Sequence, residues 1–564
     1  MFGFRQARRP PTLDDTRVAM AERILVCVAW PYANGSLHVG HIAGAYLPAD
    51  IFARFHRLRG NQVLMVSGSD EHGTPVTVRA EQEGVSPKEI ADRYHREFLE
   101  TWDRLGISFD LFTRTGTDNH REVVWDLFRT LLDRGHLFPA TMLAPYSPSL
   151  NRFLADRYVR GTCPYCGYTD ARGDQCESCG RLLDPADLIN MRSSLDGKPV
   201  EMRETEHFFL NLPAFQEQLY AWVREQEHWR PQVRNFTLGF LQQGLQPRAI
   251  TRDIDWGVPL PLPGYEHKRI YVWFEACTGY LSATVEWARH RGDPEGWRPW
   301  WQDPATRSYY FIGKDNIPFH TIIWPAMLLG YGGLNLPYDV PANEYMNLEG
   351  QKISTSRGWA IWVPELLARF DPDAVRYMIA ANLPETRDTD FTMEEFFRRN
   401  NDELVATYGN LAHRTLTFIQ RYYAGRVPEA PGWSAPDPAL AARVGSTFET
   451  VAAGISAARF KEPLREIMAL AQHANRYFDE QAPWRQVKED RAACAATLLN
   501  LLYVIDGLKV LFYPYLPHSS GRLHALLGHD DEVTAQGWQP RVPTPGRPLP
   551  APKPLFVKLD PAAV

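Results

Sequence analysis

Residues Ile24-Leu-Val-Cys-Val-Ala-Trp30 are apolar throughout and stop at Pro31, the pattern of a strand buried on both faces of a parallel sheet. Residues 42–57 are mostly helix-compatible, although Pro48 demands a kink or a break near the start. A second apolar run, Val63-Leu-Met-Val66, leads into Ser67-Gly-Ser-Asp-Glu-His-Gly73. Apolar runs alternate with helical patterns to about residue 135, predicting stacked βαβ units. Proline and glycine then become frequent, and the alternation resumes near residue 250. There Arg269–Phe274 and Ser308–Ile312 read as strands, the second running into Gly313-Lys-Asp-Asn316 and a helix with His320 and Trp324 on one face. The first fold is therefore a split α/β sheet interrupted by an insertion.

Beyond Arg357 the period becomes helical. Thr392 and Glu395 have capping-box spacing. Leu404, Val405, Tyr408, Leu411, Ala412, Thr415, Phe418, Ile419 and Tyr422 form one apolar stripe, and Asn410 and Arg414 sit off it as i, i+4 neighbours. Helices over 439–459, 461–481 and 488–513 complete a bundle. The segment from about Pro540 is proline-rich and extended, and there is no internal repeat.

Length and composition narrow the class. A chain of 564 residues needs several domains, and 44% hydrophobic with 23% charged residues fits a globular protein. No uninterrupted apolar run approaches the ~18 residues of a membrane span. Residues 1–22 read as a disordered extension, basic and polar, with Met20 an alternative start and no secretory signal. A cytoplasmic protein with no membrane partner is expected. The 61 Lys+Arg against 67 Asp+Glu leave a net charge of −6, which excludes indiscriminate coating of nucleic acid but not a local basic face.

Four stretches carry chemistry. Tyr32-Ala-Asn-Gly-Ser-Leu-His-Val-Gly-His41 lies where a parallel strand hands over to a helix, the crevice in which nucleotides bind, and a helix N-terminus favours phosphate. His38 and His41 are candidate phosphate ligands. The end of the second strand should bring Asp70 beside them, although a capping role would serve Asp70 equally well. Cys163-Pro-Tyr-Cys166 and Cys176-Glu-Ser-Cys179 are two C-x₂-C pairs that supply four thiolates suited to tetrahedral zinc. Disulfides or unligated thiols are the rival readings, and a Cys₄ shell makes the metal structural. Trp273, Tyr280, His320 and Trp324 form either core aromatics or an aromatic cup for a polarisable ligand. Finally, Glu349-Gly-Gln-Lys-Ile-Ser-Thr-Ser-Arg-Gly358 has the composition of a solvated turn or of a mobile loop that wraps an anion.

Taken together, these motifs resemble one family. His38-Val-Gly-His41 looks like the HIGH signature of class I aminoacyl-tRNA synthetases, and Lys352-Ile-Ser-Thr-Ser356 like their KMSKS loop. The ordered set is similar to the methionyl-tRNA synthetase family from about residue 23 to 530. It includes Ala29-Trp-Pro-Tyr32, Ser69-Asp-Glu-His-Gly73, the four-cysteine insertion, Tyr271-Val-Trp273, Gly313-Lys-Asp315, Asn410-Leu-Ala-His-Arg414 and Asp479-Glu-Gln-Ala-Pro-Trp484.

The resemblance implies a Rossmann-like catalytic domain in two halves (23–135 and 250–342) around a zinc-binding connective insertion (136–249). A KMSKS-like loop and stem-contact region (343–400), a helical anticodon-binding domain (401–540) and a proline-rich tail (541–564) follow. The implied activity is ATP-dependent ligation of L-methionine to tRNA(Met) through methionyl-adenylate, serving translation initiation and elongation. His38, His41 and Lys352 would be catalytic. Gly40, Lys314, Asp315, Lys352 and Thr355 would bind ATP with its Mg²⁺. Ala29, Tyr32, Asp70, Trp273, Tyr280, His320 and Trp324 would bind methionine, and Asn410, Arg414 and Trp484 would read the anticodon. One structural zinc on Cys163, Cys166, Cys176 and Cys179 is implied. The chain ends without room for the extra C-terminal domain through which many relatives dimerise, so a monomer is expected.

Three positions, in two places, depart from the family pattern. Thr355 stands where many relatives carry a second lysine, and Cys277 and Thr278 stand where apolar residues are expected beside the cup. Among rivals, the isoleucyl, valyl and leucyl enzymes carry a far larger editing insertion, and cysteinyl enzymes keep zinc in the amino-acid site with an open position. A nucleotidyltransferase would share the HxGH turn without needing the helical domain. A non-catalytic RNA-binding module would not need both phosphate elements.

Overall fold

The computed structural model describes residues 21–560, except 156, 157, 174, 175, 177, 180–182, 184 and 354–357. Thr355 and residues 1–20 of the expected N-terminal extension therefore lie outside the described residues. Strands β1 (Arg23–Val28), β2 (Gln62–Ser69), β3 (Leu111–Arg114), β4 (Arg307–Gly313) and β5 (Ala342–Asn343) form one sheet in the order β5-β4-β1-β2-β3. Every pairing in it is parallel. The central strand β1 feeds two cores. Ile24, Val26 and Val28 pack with Phe52 and Phe55 on one face, while Leu25 and Cys27 pack with Phe128 and Tyr280 on the other. Burial on both faces explains the continuous apolar run, each large side chain contributing ~1.5–3 kcal/mol.

Two local expectations needed physical correction. The break at Pro48 is a widened turn over Ile42–Tyr46, in which the Leu47 N–H bonds back five residues to the Ile42 carbonyl. The helix Leu47–Leu58 continues directly from it with Pro48 at the junction, and the Ala43 and Gly44 carbonyls accept from the Asn343 side chain instead. Arg269–Phe274 is not a strand as a whole. Only Arg269–Ile270 pairs, with Thr251–Arg252, and a helix runs from Val272 to His290. That helix is buried from Phe274 to Val285 without interruption. A helix enclosed on all sides shows no apolar period, and its β-branched and aromatic start mimics a strand.

Between β3 and β4, Leu137–Ser147 and Glu201–Leu210 form a long antiparallel ribbon. It leads to a small module of strands Val159–Thr162, Ala171–Arg172 and Ile189–Ser193 with its own core of Leu154, Tyr158, Val159 and Leu188. After β5 the chain becomes helical. Thr392 caps its helix by accepting the Glu395 N–H. Asn410–Tyr422, Pro438–Ser456, Lys461–Gln481, Pro483–Glu489 and Arg491–Phe512 build the bundle. Arg491–Phe512 is long and apolar enough to cross a membrane by composition, but 89% of its apolar window is buried inside the protein, which makes it the bundle's core helix. The segment after Pro540 is extended yet docked. Leu555 and Phe556 are buried, and the side chains of Asn400 and Asn401 bond the carbonyls of Val557 and Leu559.

Sheet and bundle meet at a fully buried cation. Arg376 donates to Asp50 on the Leu47–Leu58 helix at 2.7 Å and to the carbonyls of Leu105, Pro514 and Tyr515. Asp50 also accepts from Arg54 at 3.0 Å. The burial of both ions is tolerable because the charges are paired and hydrogen-bonded.

Candidate active site

A cavity of about 470 Å³ opens at the carboxyl ends of β1, β2 and β4. Its lining brings together Ala29, Tyr32, His38, Gly40, His41, Asp70, Trp273, Tyr280, Asp315, His320 and Lys352, residues drawn from positions far apart in the chain. A site of this size suits a ligand of nucleotide or drug scale.

His38 and His41 stand at the start of the helix after β1. The His38 backbone N–H donates to His41 Nδ1 at 3.2 Å, so His41 carries its proton on Nε2 and keeps that N–H for a ligand. The two rings stack with centroids 3.7 Å apart. Gly40 makes this possible, because a Cβ there would lie 3.0 Å from His38 Nδ1 and 3.2 Å from the Ile353 side chain. Burial, followed by the neighbouring His41 charge, pulls His38 down to about 2, and burial pulls His41 down to about 4. Both rings are neutral donors at neutral pH. The turn is clamped from outside, since Val39 donates to the Ile361 carbonyl and Val363 to the Leu37 carbonyl. The strand of chain leaving the Lys352 loop thus holds the histidine turn.

Asp70 leaves β2 beside this turn, paired through backbone to Tyr32. Its carboxylate accepts the His72 backbone N–H at 3.2 Å. Burial, and then the charge of Glu275, hold Asp70 well above the usual carboxylate range. Glu275 is fully buried on the Val272–His290 helix, 2.9 Å from His72 Nδ1 and 3.6 Å from His120 Nε2. Burial alone would raise the Glu275 carboxyl, but the two imidazoles outweigh it and lower it. His72 is raised in turn, because Glu275 overcomes its own burial. A buried, hydrogen-bonded histidine–carboxylate pair therefore sits behind Asp70. An acid inside an otherwise apolar run was the signal for Glu275, and the motif reading passed over it.

The aromatic wall has one ordered hydrogen-bond chain. His320 Nδ1 donates to the Asn316 carbonyl at 2.9 Å, leaving Nε2 to accept from the Tyr280 hydroxyl at 2.7 Å. Trp273 stacks on Phe319 with centroids 4.0 Å apart. Tyr32 packs so closely over Gly73 that a Cβ there would overlap its ring. Trp324 lies behind the wall rather than on the cavity lining. It is wholly buried, bonded through Nε1 to Tyr310 and packed edge-on to Trp301. Of the two departures beside the cup, Cys277 lines the cavity. The Thr278 hydroxyl instead donates to the Phe274 carbonyl within its own helix, so it brings no polarity to the pocket.

Lys314 pairs with Glu344 at 2.7 Å and Asp388 at 3.0 Å, and Asp315 accepts from the Tyr345 hydroxyl. Tyr345 and Glu344 line the cavity and carry no signature that pattern reading singles out.

Two further sites lie away from the cavity. The four cysteine sulfurs fall within 4.8 Å of one another, with Cys163–Cys179 at 3.9 Å and Cys166–Cys176 at 3.6 Å. Thiolates at ~2.3 Å from a tetrahedral centre are separated by roughly 3.8 Å, so the cluster fits a structural zinc. In the bundle, the Arg414 guanidinium lies 3.8 Å from the Phe478 ring centroid and pairs with Asp479 at 2.7 Å. Trp484, 45% exposed, lies nearly parallel to Phe478 on the same face. Asn410 is exposed one helical turn before Arg414.

The family model described as tRNA synthetases class I (M) matches residues 24–416, and that of the anticodon binding domain of methionyl tRNA ligase matches residues 427–563. A methionine–tRNA ligase of Thermomicrobium roseum is 54% identical, covering 97% of this chain and 98% of the relative. One from Dehalococcoides mccartyi is 55% identical over the same shares. Among solved structures, Mycobacterium tuberculosis methionyl-tRNA synthetase in complex with methionyl-adenylate superposes with a TM-score of 0.79 at 29% identity, covering 95% of this chain and all of that one.

Proposed function

The chain belongs to the methionyl-tRNA synthetase family of class I synthetases, and from that premise we propose that it ligates L-methionine to tRNA(Met) at the expense of ATP, through methionyl-adenylate. The observation that carries the reading is the single cavity that gathers the histidine turn, Asp70, the aromatic wall and Lys352.

In the first step an oxygen of the methionine carboxylate attacks the α-phosphate, the bond to the bridging oxygen breaks, and pyrophosphate leaves. In the second, the tRNA's terminal adenosine hydroxyl attacks the acyl carbon and AMP departs. Such displacement rests on positioning and charge stabilisation. Neutral His38 and His41 donate to the phosphoryl oxygens, and Lys352 and Lys314 supply positive charge to the polyphosphate. Gly40 and Asp315, with Thr355 from the loop, contribute to nucleotide binding. No nucleophile is required of the protein.

Asp70 receives the methionine ammonium while Ala29, Tyr32, Trp273, Tyr280 and His320 surround the side chain, with Trp324 supporting the wall from behind. Sulfur–aromatic contact is worth ~0.3–1.5 kcal/mol. Mg²⁺ accompanies ATP and adds charge neutralisation when bound. Cys163, Cys166, Cys176 and Cys179 would hold a zinc ion in a structural role, since four thiolates leave no position open to substrate. Asn410, Arg414 and Trp484 read the anticodon, with the exposed indole available to stack on a splayed base. The reading takes the enzyme as a monomer.

The test is amino-acid-dependent exchange of pyrophosphate into ATP across the amino acids. Methionine alone should support it, and exchange with none would reject the assignment.

A further inference from the structure

Tyr345 lines the same cavity as His38, His41 and Lys352, and the mechanism above gives it no role. Its ring is a meeting point for two ammonium groups. Lys314 Nζ lies 4.0 Å from the ring centroid and Lys352 Nζ 4.4 Å. A tyrosine face attracts cations at this range through its negative potential.

Two like charges drawn to one ring repel each other, and three carboxylates around the ring offset that repulsion. The Tyr345 hydroxyl donates to Asp315. Lys314 pairs with Glu344 and Asp388, and Asp388 also accepts the Tyr345 backbone N–H at 2.9 Å. Lys314 is thus pinned by two acids as well as the ring. Lys352 begins a loop rich in small and hydroxyl residues. It faces the ring and its charge also acts on Asp388, helping to lower that carboxyl, but among the described residues no ion pair holds it as Glu344 and Asp388 hold Lys314. Burial, and then the Asp315 bond, push the phenol well above its ordinary range, so the ring stays neutral.

A ring differs from a carboxylate as a resting place for a lysine. It orients the ammonium without neutralising it and competes weakly with phosphate, whereas a carboxylate would hold the charge against its ligand. We propose that Tyr345 is a positioning residue for adenylation, whose ring seats Lys352 beside Lys314 so that both ammonium charges stand at one edge of the cavity before the triphosphate of ATP enters. This deepens the synthetase reading and rests on it.

The experiment is methionine-dependent pyrophosphate–ATP exchange with the full chain carrying Tyr345→Leu or Tyr345→Phe, each alone and with Lys352→Ala. Tyr345→Leu should lower kcat/KM for ATP by at least about tenfold while the methionine KM stays within about twofold. Tyr345→Phe keeps the ring and should retain most of the activity. In the Lys352→Ala background, Tyr345→Leu should add less than about threefold, because the seated group is already gone. The inference is overturned if Tyr345→Leu matches the wild type, or if Tyr345→Phe falls as far as Tyr345→Leu. It is also overturned if the methionine KM rises in step with that for ATP, which would signal a collapsed pocket. Exchange absent from the wild type itself would remove the synthetase reading and this inference with it. Exchange present in the wild type but unchanged in Tyr345→Leu removes the inference alone.

Discussion

The rings of His38 and His41 stack with an interplanar angle of 22°, while the His38 backbone N–H donates to the His41 ring. The pair shares one buried, uncharged environment, so each ring can offer an N–H to phosphate without a proton equilibrium intervening. Removing one such donor costs ~10²–10³ in kcat where charge develops in the transition state. His41→Ala should reduce methionine-dependent exchange by about that factor, and a loss below about threefold would remove His41 from the chemistry.

The same pair makes a pH prediction for stability. Burial lowers both folded values from 6.5, to about 2 for His38 and about 4 for His41, whereas the unfolded imidazoles protonate near 6.5. Below that pH the unfolded chain binds the extra protons. The contribution of the two rings is therefore complete above 6.5 and is lost progressively as pH falls toward the folded values. Thermal unfolding of a His38→Gln/His41→Gln protein should show a smaller drop in Tm between neutral pH and about 5 than the wild type. An identical drop would place the acid sensitivity elsewhere.

Asp70 behaves in the opposite sense. Burial and the Glu275 charge raise its pKa, so the free site keeps a proton there into a range where ordinary carboxylates are ionised. An ammonium ligand needs the ionised form. The kcat/KM for methionine should consequently rise with pH on a limb above the normal carboxylate range, and Asp70→Asn should abolish that limb along with most methionine binding. A flat profile in the wild type would contradict this role.

The two phosphate-directed positions of the loop are unequal. Lys352 reaches the cavity, and threonine at 355 carries no charge. Lys352→Ala should cut adenylation far more than Thr355→Ala, and equal losses would contradict that inequality.

Separate chemistry at the bundle should be separable in assays. Trp484→Ala removes a stacking surface worth ~1–3 kcal/mol per base, predicting a roughly 5- to 150-fold fall in kcat/KM for tRNA with pyrophosphate exchange unchanged. Arg414→Ala should act likewise, since its guanidinium sits over Phe478 beside Trp484. Metal analysis of the purified chain should give one zinc, lost in Cys163→Ser.

The parts legible in the sequence were those whose chemistry demands particular residue types at particular spacings. The histidine turn, the cysteine pairs and the strand runs of β1, β2 and β4 are of this kind. What escaped was set by three-dimensional enclosure. The Val272–His290 helix is covered on all sides, so its period vanishes, and its first residues favour strand by intrinsic preference. Glu275 gains its meaning only from His72 and His120, which reach it from β2's exit and a distant helix. Tyr345 looks like any aromatic until Lys314 and Lys352 are placed around it. Trp324 would share His320's face in a regular helix, but it lies behind the wall, and the widened turn at Phe319–Ile323 shifts the angular spacing between them.

The buried Arg376 sets a limit on modularity. Its guanidinium takes carbonyl partners from Pro514 and Tyr515 at the end of the core helix and a carboxylate from Asp50, nine residues after His41. An excised catalytic half would lose the Pro514 and Tyr515 carbonyls and open the paired Arg376 and Asp50 to water, together with the apolar surface the bundle covers. Two regions that match separate family descriptions thus share one buried hydrogen-bond network and one apolar core, and a cut between them severs both.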